Sequence, residues 1–170
     1  MDTETRFTDL RLRHAVTADT KDLVRVHFDV VHGSTSGSYP VEVHRGWSEA
    51  PDDSRRRTDP REAIERGEDL FAVAEISYRI AGFGSIVPAI EELRAMYVDP
   101  AFGGSAVLRR LEDEASRLGL SALRMDASLN AESFYARHGY EIIQRGVHRL
   151  AAGVDMPCVT MRKPIVADHD

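Results

Sequence analysis

VDPAFGGSAVLRRLEDEA, Val98 to Ala115, orders a strand end at Asp99-Pro100, a glycine pair and an amphipathic helix. That succession is the one that seats a pyrophosphate at a helix N-terminus, where backbone N–H groups lack intrahelical partners. Gly103 and Gly104 permit close backbone approach to an anion, and Ser105 and Ala106 follow as further N–H donors. The loop is short for a phosphate cradle, so the pair reads either as a reduced anion site or as a turn.

Working outward, LRAMYV (Leu93–Val98) is a strand leading into this segment, and ALRMDASL after Gly119 is another. Upstream, LRLRHAV (Leu10–Val16) alternates as a first strand, and Thr17 is placed to cap a helix running through Leu23, Val24, Val26, His27, Val30 and Val31. HGSTSGSYP (His32–Pro40) reads as a loop, VEVHRGWSEA as a short helix and PDDSRRRTDP as a solvated link. Asp59-Pro60 then opens a helix that Gly67 closes. DLFAVAEI and RIAGFGSIV form a hairpin through Ser77-Tyr78, in which Gly82 and Gly84 mark close packing. Asn130 is expected to cap the helix AESFYARH, and YEIIQRGVHRL with MPCVTMRKP closes the chain as two strands around AAGVD.

The 170 residues, 42% of them hydrophobic, suit a single domain over 1–170, with 1–8 and 166–170 frayed. A net charge of -6 and no Lys/Arg block argue against nucleic acid as the main partner. The polar, acidic N-terminal segment does not resemble a signal peptide, and no apolar run approaches the roughly 20 residues of a membrane span. With Cys158 the only cysteine, no internal disulfide and no cysteine-based metal site can form, and a cytoplasmic location is expected. The seven histidines fall in no metal-ligand spacing, so no metal is expected. Interleaved helices and strands, with strands dominating the end, give an α/β or α+β class with a mixed sheet.

LRAMYVDP, the glycine pair with its helix, and above all DASLNAESFYARHGYE resemble the Gcn5-related N-acetyltransferases. The likeness covers most of the chain in element order, from Leu10 to Pro164, and its motifs lie between Leu93 and Tyr140. It implies a mostly antiparallel sheet with a central, splayed parallel pair formed by LRAMYV and LRMDASL, flanked by about four helices. It also implies acetyl-CoA as acetyl donor, held in the splay, and direct transfer to an amine of a small molecule or peptide. One departure stands out: AFGGSAVLRRLE is a few residues shorter than the usual family loop, which implies that part of the pyrophosphate nest is missing or displaced. A non-catalytic domain of the same fold, binding another ligand or a protein, is therefore the alternative. Family dimers pair through varied surfaces, so a homodimer is open.

The resemblance implies that Tyr135 protonates the departing thiolate, chemistry suited to a phenol with a pKa of about 10; packing against the sheet is its other role. Met96, Tyr97 and Val98 are expected to meet the cofactor through backbone groups, because a pantetheine amide can extend a splayed strand. Asn130 is a candidate cofactor contact as well as a cap. An amine must be neutral to attack, which makes Glu92 the first candidate base and Asp126 the next carboxylate. Tyr39, Trp47 and His148 are the candidate acceptor-binding residues, since an aromatic wall suits a cationic or ring-bearing amine. Trp47 is equally at home as a core anchor, and a surface or core place is the other reading of His148.

Overall fold

The computed structural model describes residues 9–34, 37–48, 60–150 and 152–166. Within these residues seven strands form one sheet: β1 (Leu10–His14), β2 (Leu70–Ile76), β3 (Arg79–Val87), β4 (Glu92–Val98), β5 (Ala122–Ser128), β6 (Glu141–Arg149) and β7 (Asp155–Pro164). Their order is β1-β2-β3-β4-β5-β7-β6, and every neighbouring pair is antiparallel except β4 and β5. Among the described residues five helices accompany it: α1 (Thr20–Ser34), α2 (Val41–Trp47), α3 (Pro60–Arg66), α4 (Ser105–Arg117) and α5 (Glu132–Arg137). The mixed fold expected from the sequence is the one observed. Among the described residues no helix is long and apolar enough to cross a membrane.

The two faces of the sheet follow from strand alternation. Val107, Leu108, Leu111 and Ala115, recurring along α4, bury one face of that helix against Ala72, Ala74, Ile86, Leu93, Leu123 and Met125. On the opposite face Leu23 and Val26 of α1 pack on Val73, Ile80 and Phe83. A smaller cluster joins Tyr39, Val43, Leu150 and Met156, with Trp47 packed against it. Leu108 and Leu111 are almost fully buried, so truncating either to alanine costs about 2–5 kcal/mol.

Several local expectations are corrected. Thr17 does not cap α1: it opens a three-residue 3-10 turn, and the Asp19 carboxylate accepts the Val16 N–H at 2.8 Å instead. That carboxylate also accepts two Arg13 guanidinium bonds, at 2.8 and 3.0 Å, which hold its pKa below the ordinary aspartate value despite burial. The helix continues through His32 to Ser34, where composition suggested a loop. Asn130 is not the cap of α5; it lies within a 3-10 turn over Leu129–Ala131, and no side-chain capping bond is made at the start of that helix. Pro60 does open α3, and Gly67 closes it with a φ of +68°. Asp59 and the segment Pro51–Thr58 lie outside the described residues.

The sheet opens at its one parallel junction. β4 and β5 share a single register pair, Glu92 with Arg124, next to which the Arg124 N–H donates to the Glu91 carbonyl at 2.9 Å. Glu91 closes that end: its carboxylate accepts the Ser121 N–H at 3.0 Å and the Ser121 hydroxyl at 2.9 Å. On the other side of β4, the pairing with β3 shifts register after Ser85↔Ala95, leaving Arg94 as a bulged residue. Beyond the junction the two parallel strands run on without pairing to each other, and a cleft fills the gap.

Candidate active site

The cleft has a volume of about 1250 Å³ and passes between the two faces of the sheet. Its lining combines Leu23 and His27 of α1 and Trp47 of α2 on one face with Gly104, Phe134 and Tyr135 on the other. Both splayed strands contribute, from Glu92 to Val98 and from Arg124 to Ser128. Pro100, Asn130 and His148 also line it.

Tyr135 is the buried residue of α5, on the helix face turned toward the sheet, and packs with the core beneath β4 and β5. Burial, reinforced by the nearby Tyr97 phenol, raises its pKa above the ordinary tyrosine value and keeps it protonated. Tyr97 accepts a hydrogen bond from the Trp47 indole N–H at 3.0 Å. Burial pushes the Tyr97 phenol up to about 12, with the Trp47 bond acting in the other direction. The His27 ring meets Tyr97 edge-on at 4.3 Å, and its Nδ1 is 2.7 Å from the Ser48 hydroxyl oxygen. His27, Trp47 and Tyr97 thus form an aromatic wall, of which the sequence singled out only Trp47 and Tyr97. His27 was absorbed into the apolar period of α1.

At the start of α4, Gly104 lines the cleft while Gly103, Ser105 and Ala106 lie outside its lining. A Cβ on Gly104 would meet Met96 Cε and Phe134 Cζ at 3.0 Å each, so only glycine fits there without displacement. Gly103 needs its freedom for another reason: its φ is +68°. The Ser105 hydroxyl is 2.9 Å from His138 Nε2, and His138 Nδ1 is 2.8 Å from the Phe134 carbonyl oxygen. The Leu108 N–H donates to the Gly104 carbonyl at 3.0 Å, which places Gly104 as the cap. The next N–H groups of α4 belong to the helix's first turn and have no intrahelical acceptor.

The remaining candidates separate. Met96 and Val98 point to the α4 side and Tyr97 to the α1 side, all three lining the cleft. Glu92 sits at the closed junction, and its carboxylate accepts the Arg94 Nε–H at 3.0 Å. Tyr39 does not line the cleft: its hydroxyl donates to the Pro157 carbonyl at 2.7 Å and accepts the Leu129 N–H at 2.8 Å, tying the α2 side to the end of β5. His148 lines the cleft from β6, with Nδ1 3.6 Å from Asp126 Oδ2. Ser85, next to the bulge, carries the one buried side-chain polar atom without a hydrogen-bond partner among the described residues. Nothing in the sequence marked it, because its place along the cleft follows from strand register.

A family model described as an acetyltransferase (GNAT) domain matches residues 42–164. Comparison with curated proteins gives no match. Among solved structures, the chain is similar to a GCN5-related N-acetyltransferase from Rhodopseudomonas palustris at 25% identity, with a TM-score of 0.80 and coverage of 92% of this chain and 96% of that one. It is also similar to the PaiA N-acetyltransferase from Thermoplasma acidophilum in complex with coenzyme A, at 18% identity, TM-score 0.72, and coverage of 91% and 98%. YncA from Salmonella typhimurium, solved with its cofactor acetyl-CoA, superimposes with a TM-score of 0.65 at 20% identity, over 96% of this chain and 97% of that one.

Proposed function

The chain belongs to the GNAT acetyltransferase domain family, and from that premise we propose that it moves the acetyl group of acetyl-CoA directly to an amine of a small molecule or peptide. The observation that carries this is the splay: two parallel strands joined by a single register pair, with a protonated phenol buried below the opening. A cleft of that form accepts an extended amide chain along Met96 to Val98, as an added strand would pair. The start of α4 then receives the pyrophosphate through the first-turn N–H groups, with Gly104 allowing the approach. The coenzyme A and acetyl-CoA bound to the Thermoplasma and Salmonella proteins support the same donor here.

In this reading the amine attacks the acetyl carbonyl, the new C–N bond forms and the C–S bond breaks. Tyr135 supplies the proton that converts the leaving thiolate to a thiol. The raised pKa of its phenol fits a donor that is fully protonated at neutral pH. The acceptor approaches from the α1 and α2 side, where His27, Trp47 and Tyr97 offer aromatic surface to a cationic or ring-bearing amine. Tyr135→Phe is expected to lower kcat by about 10²-fold while changing acetyl-CoA affinity by less than about threefold. Unchanged kcat removes the acid role.

One observation favours a second reading. Phe134 and His138 crowd the start of α4, and His138 engages the Ser105 hydroxyl. A cleft plugged there would no longer grip a pyrophosphate, and the domain would bind another ligand or a protein without catalysis. Absence of acetyl-CoA binding by the intact protein would select that reading.

A further inference from the structure

We propose that Asp126 and His148 form the pair that takes the proton from the incoming amine, with His148 as the catalytic base and Asp126 as its positioning residue. The inference rests on the acetyltransfer reading. Leu123, Met125 and Ala127 enter the core under α4, so strand alternation turns Asp126 to the opposite face, the one covered by α1 and α2. Asp126 also lies two residues beyond Arg124, the last residue of β5 in register with β4. It therefore stands about 7 Å into the open part of the splay.

The strand register assembles the rest. Thr160, directly across from Asp126 on β7, donates its hydroxyl to Oδ1 at 2.8 Å. That fixes the carboxylate and leaves Oδ2 toward His148 Nδ1, 3.6 Å away, a separation that shortens readily once the ring carries charge. His148 is paired with Met156 on β7, on the same face as Cys158 and Thr160. With Nδ1 turned to the carboxylate, Nε2 is the ring atom left to accept a proton. Both side chains remain about half exposed, 53% for His148 and 46% for Asp126, as groups open to an acceptor and to solvent must be.

The surroundings leave the pair its role. Cys158, a titratable group on this face beside them, has its thiol pKa raised by burial and by Asp126, so it stays neutral. Arg124 and Arg162 face each other one step nearer the closed junction. Arg145 and Arg149 alternate to the far face of β6, where they bind Glu132 and Asp155. Glu92, by contrast, is held by Arg94 at the closed junction.

The step balances as follows. An ammonium acceptor gives one proton to His148 Nε2, which releases it to solvent. The freed lone pair bonds to the acetyl carbon, and the carbon–sulfur bond breaks. The second proton lost from nitrogen after attack balances the one that Tyr135 passes to the thiolate.

Nitrogen-15 NMR of the full chain tests the pair without any acceptor. The neutral His148 ring should carry its proton on Nδ1, and Asp126→Asn should move the tautomer balance toward Nε2–H, because the carboxylate that faces Nδ1 is gone. An unchanged tautomer balance overturns the pair. Kinetics then test the role, with phenethylamine, an ammonium at pH 7, and phenylhydrazine, which is already neutral. His148→Gln should lower kcat for phenethylamine by about 10²-fold and for phenylhydrazine by less than about threefold, with Asp126→Glu retaining more activity than Asp126→Asn. Equal losses on both amines, or none, contradict the role. Where neither amine is turned over the NMR result decides alone, and failure of the wild type to bind acetyl-CoA sinks the acetyltransfer reading separately.

Discussion

Trp47 donates its indole N–H to the phenol oxygen of Tyr97 at 3.0 Å, and this bond fastens α2 to the splayed strand β4 across the face of the cleft. The two rings lie 6.1 Å apart, and each also meets His27 edge-on. The wall is therefore built by one directional bond and three ring contacts. Trp47→Phe keeps an aromatic body but removes the donor. It should cost about 1 kcal/mol in urea unfolding, the usual net worth of one hydrogen bond. An unchanged midpoint would show that Tyr97 finds a new partner at no cost.

The glycine pair separates into two tests. Gly104→Ala sets a methyl against Met96 and Phe134 at the mouth of the cleft, and acetyl-CoA affinity should fall by about tenfold with a stability loss of about 1–3 kcal/mol. Gly103→Ala meets no atom within 4 Å but forces an alanine to φ +68°, so its cost of about 1 kcal/mol should appear in stability and not in affinity. Measuring denaturant midpoints and dissociation constants for both variants distinguishes the two. Identical profiles would contradict the placement of Gly104 at the cofactor.

The pH dependence of stability has an identifiable source in Asp19. Hydrogen bonds from Arg13, opposed by burial and supported by the Val16 N–H, depress its pKa in the folded state. A depressed carboxylate binds fewer protons when folded than when unfolded, so its stabilisation is present above the unfolded value near pH 4 and is lost as pH falls through the folded pKa. Asp19→Asn should destabilise the protein at pH 7 by about 1–3 kcal/mol and flatten the fall in melting temperature between about pH 4 and 2. A parallel acid profile for variant and wild type would place that sensitivity elsewhere.

The sheet was readable because each central strand carries its own alternation and each is punctuated by glycine or a turn. Even the Ser77-Tyr78 hairpin is marked, although both residues adopt positive φ without glycine's freedom. Helix starts were less legible. Thr17 and Asn130 have the chemistry of caps, but Asp19 reaches the Val16 N–H first, and a 3-10 turn carries Asn130 past the capping position. Of the site, Tyr135 and the glycine pair stand in local motifs. Asp126 and His148 do not: β7 lies between β5 and β6 and sets their approach through two independent registers, a relation that no local spacing encodes. Tyr39 shows the converse, an exposed-looking aromatic in a polar loop whose hydroxyl is consumed by two backbone bonds.

Calorimetric titration of the intact protein with acetyl-CoA, with CoA and desulfo-CoA as controls, tests the central claim most directly. Saturable heat with a dissociation constant on the order of micromolar is the predicted result, with the pyrophosphate held at Gly104 and the pantetheine along β4. No heat at millimolar concentration would contradict it, and would mean that Phe134 and His138 close the start of α4 to the cofactor.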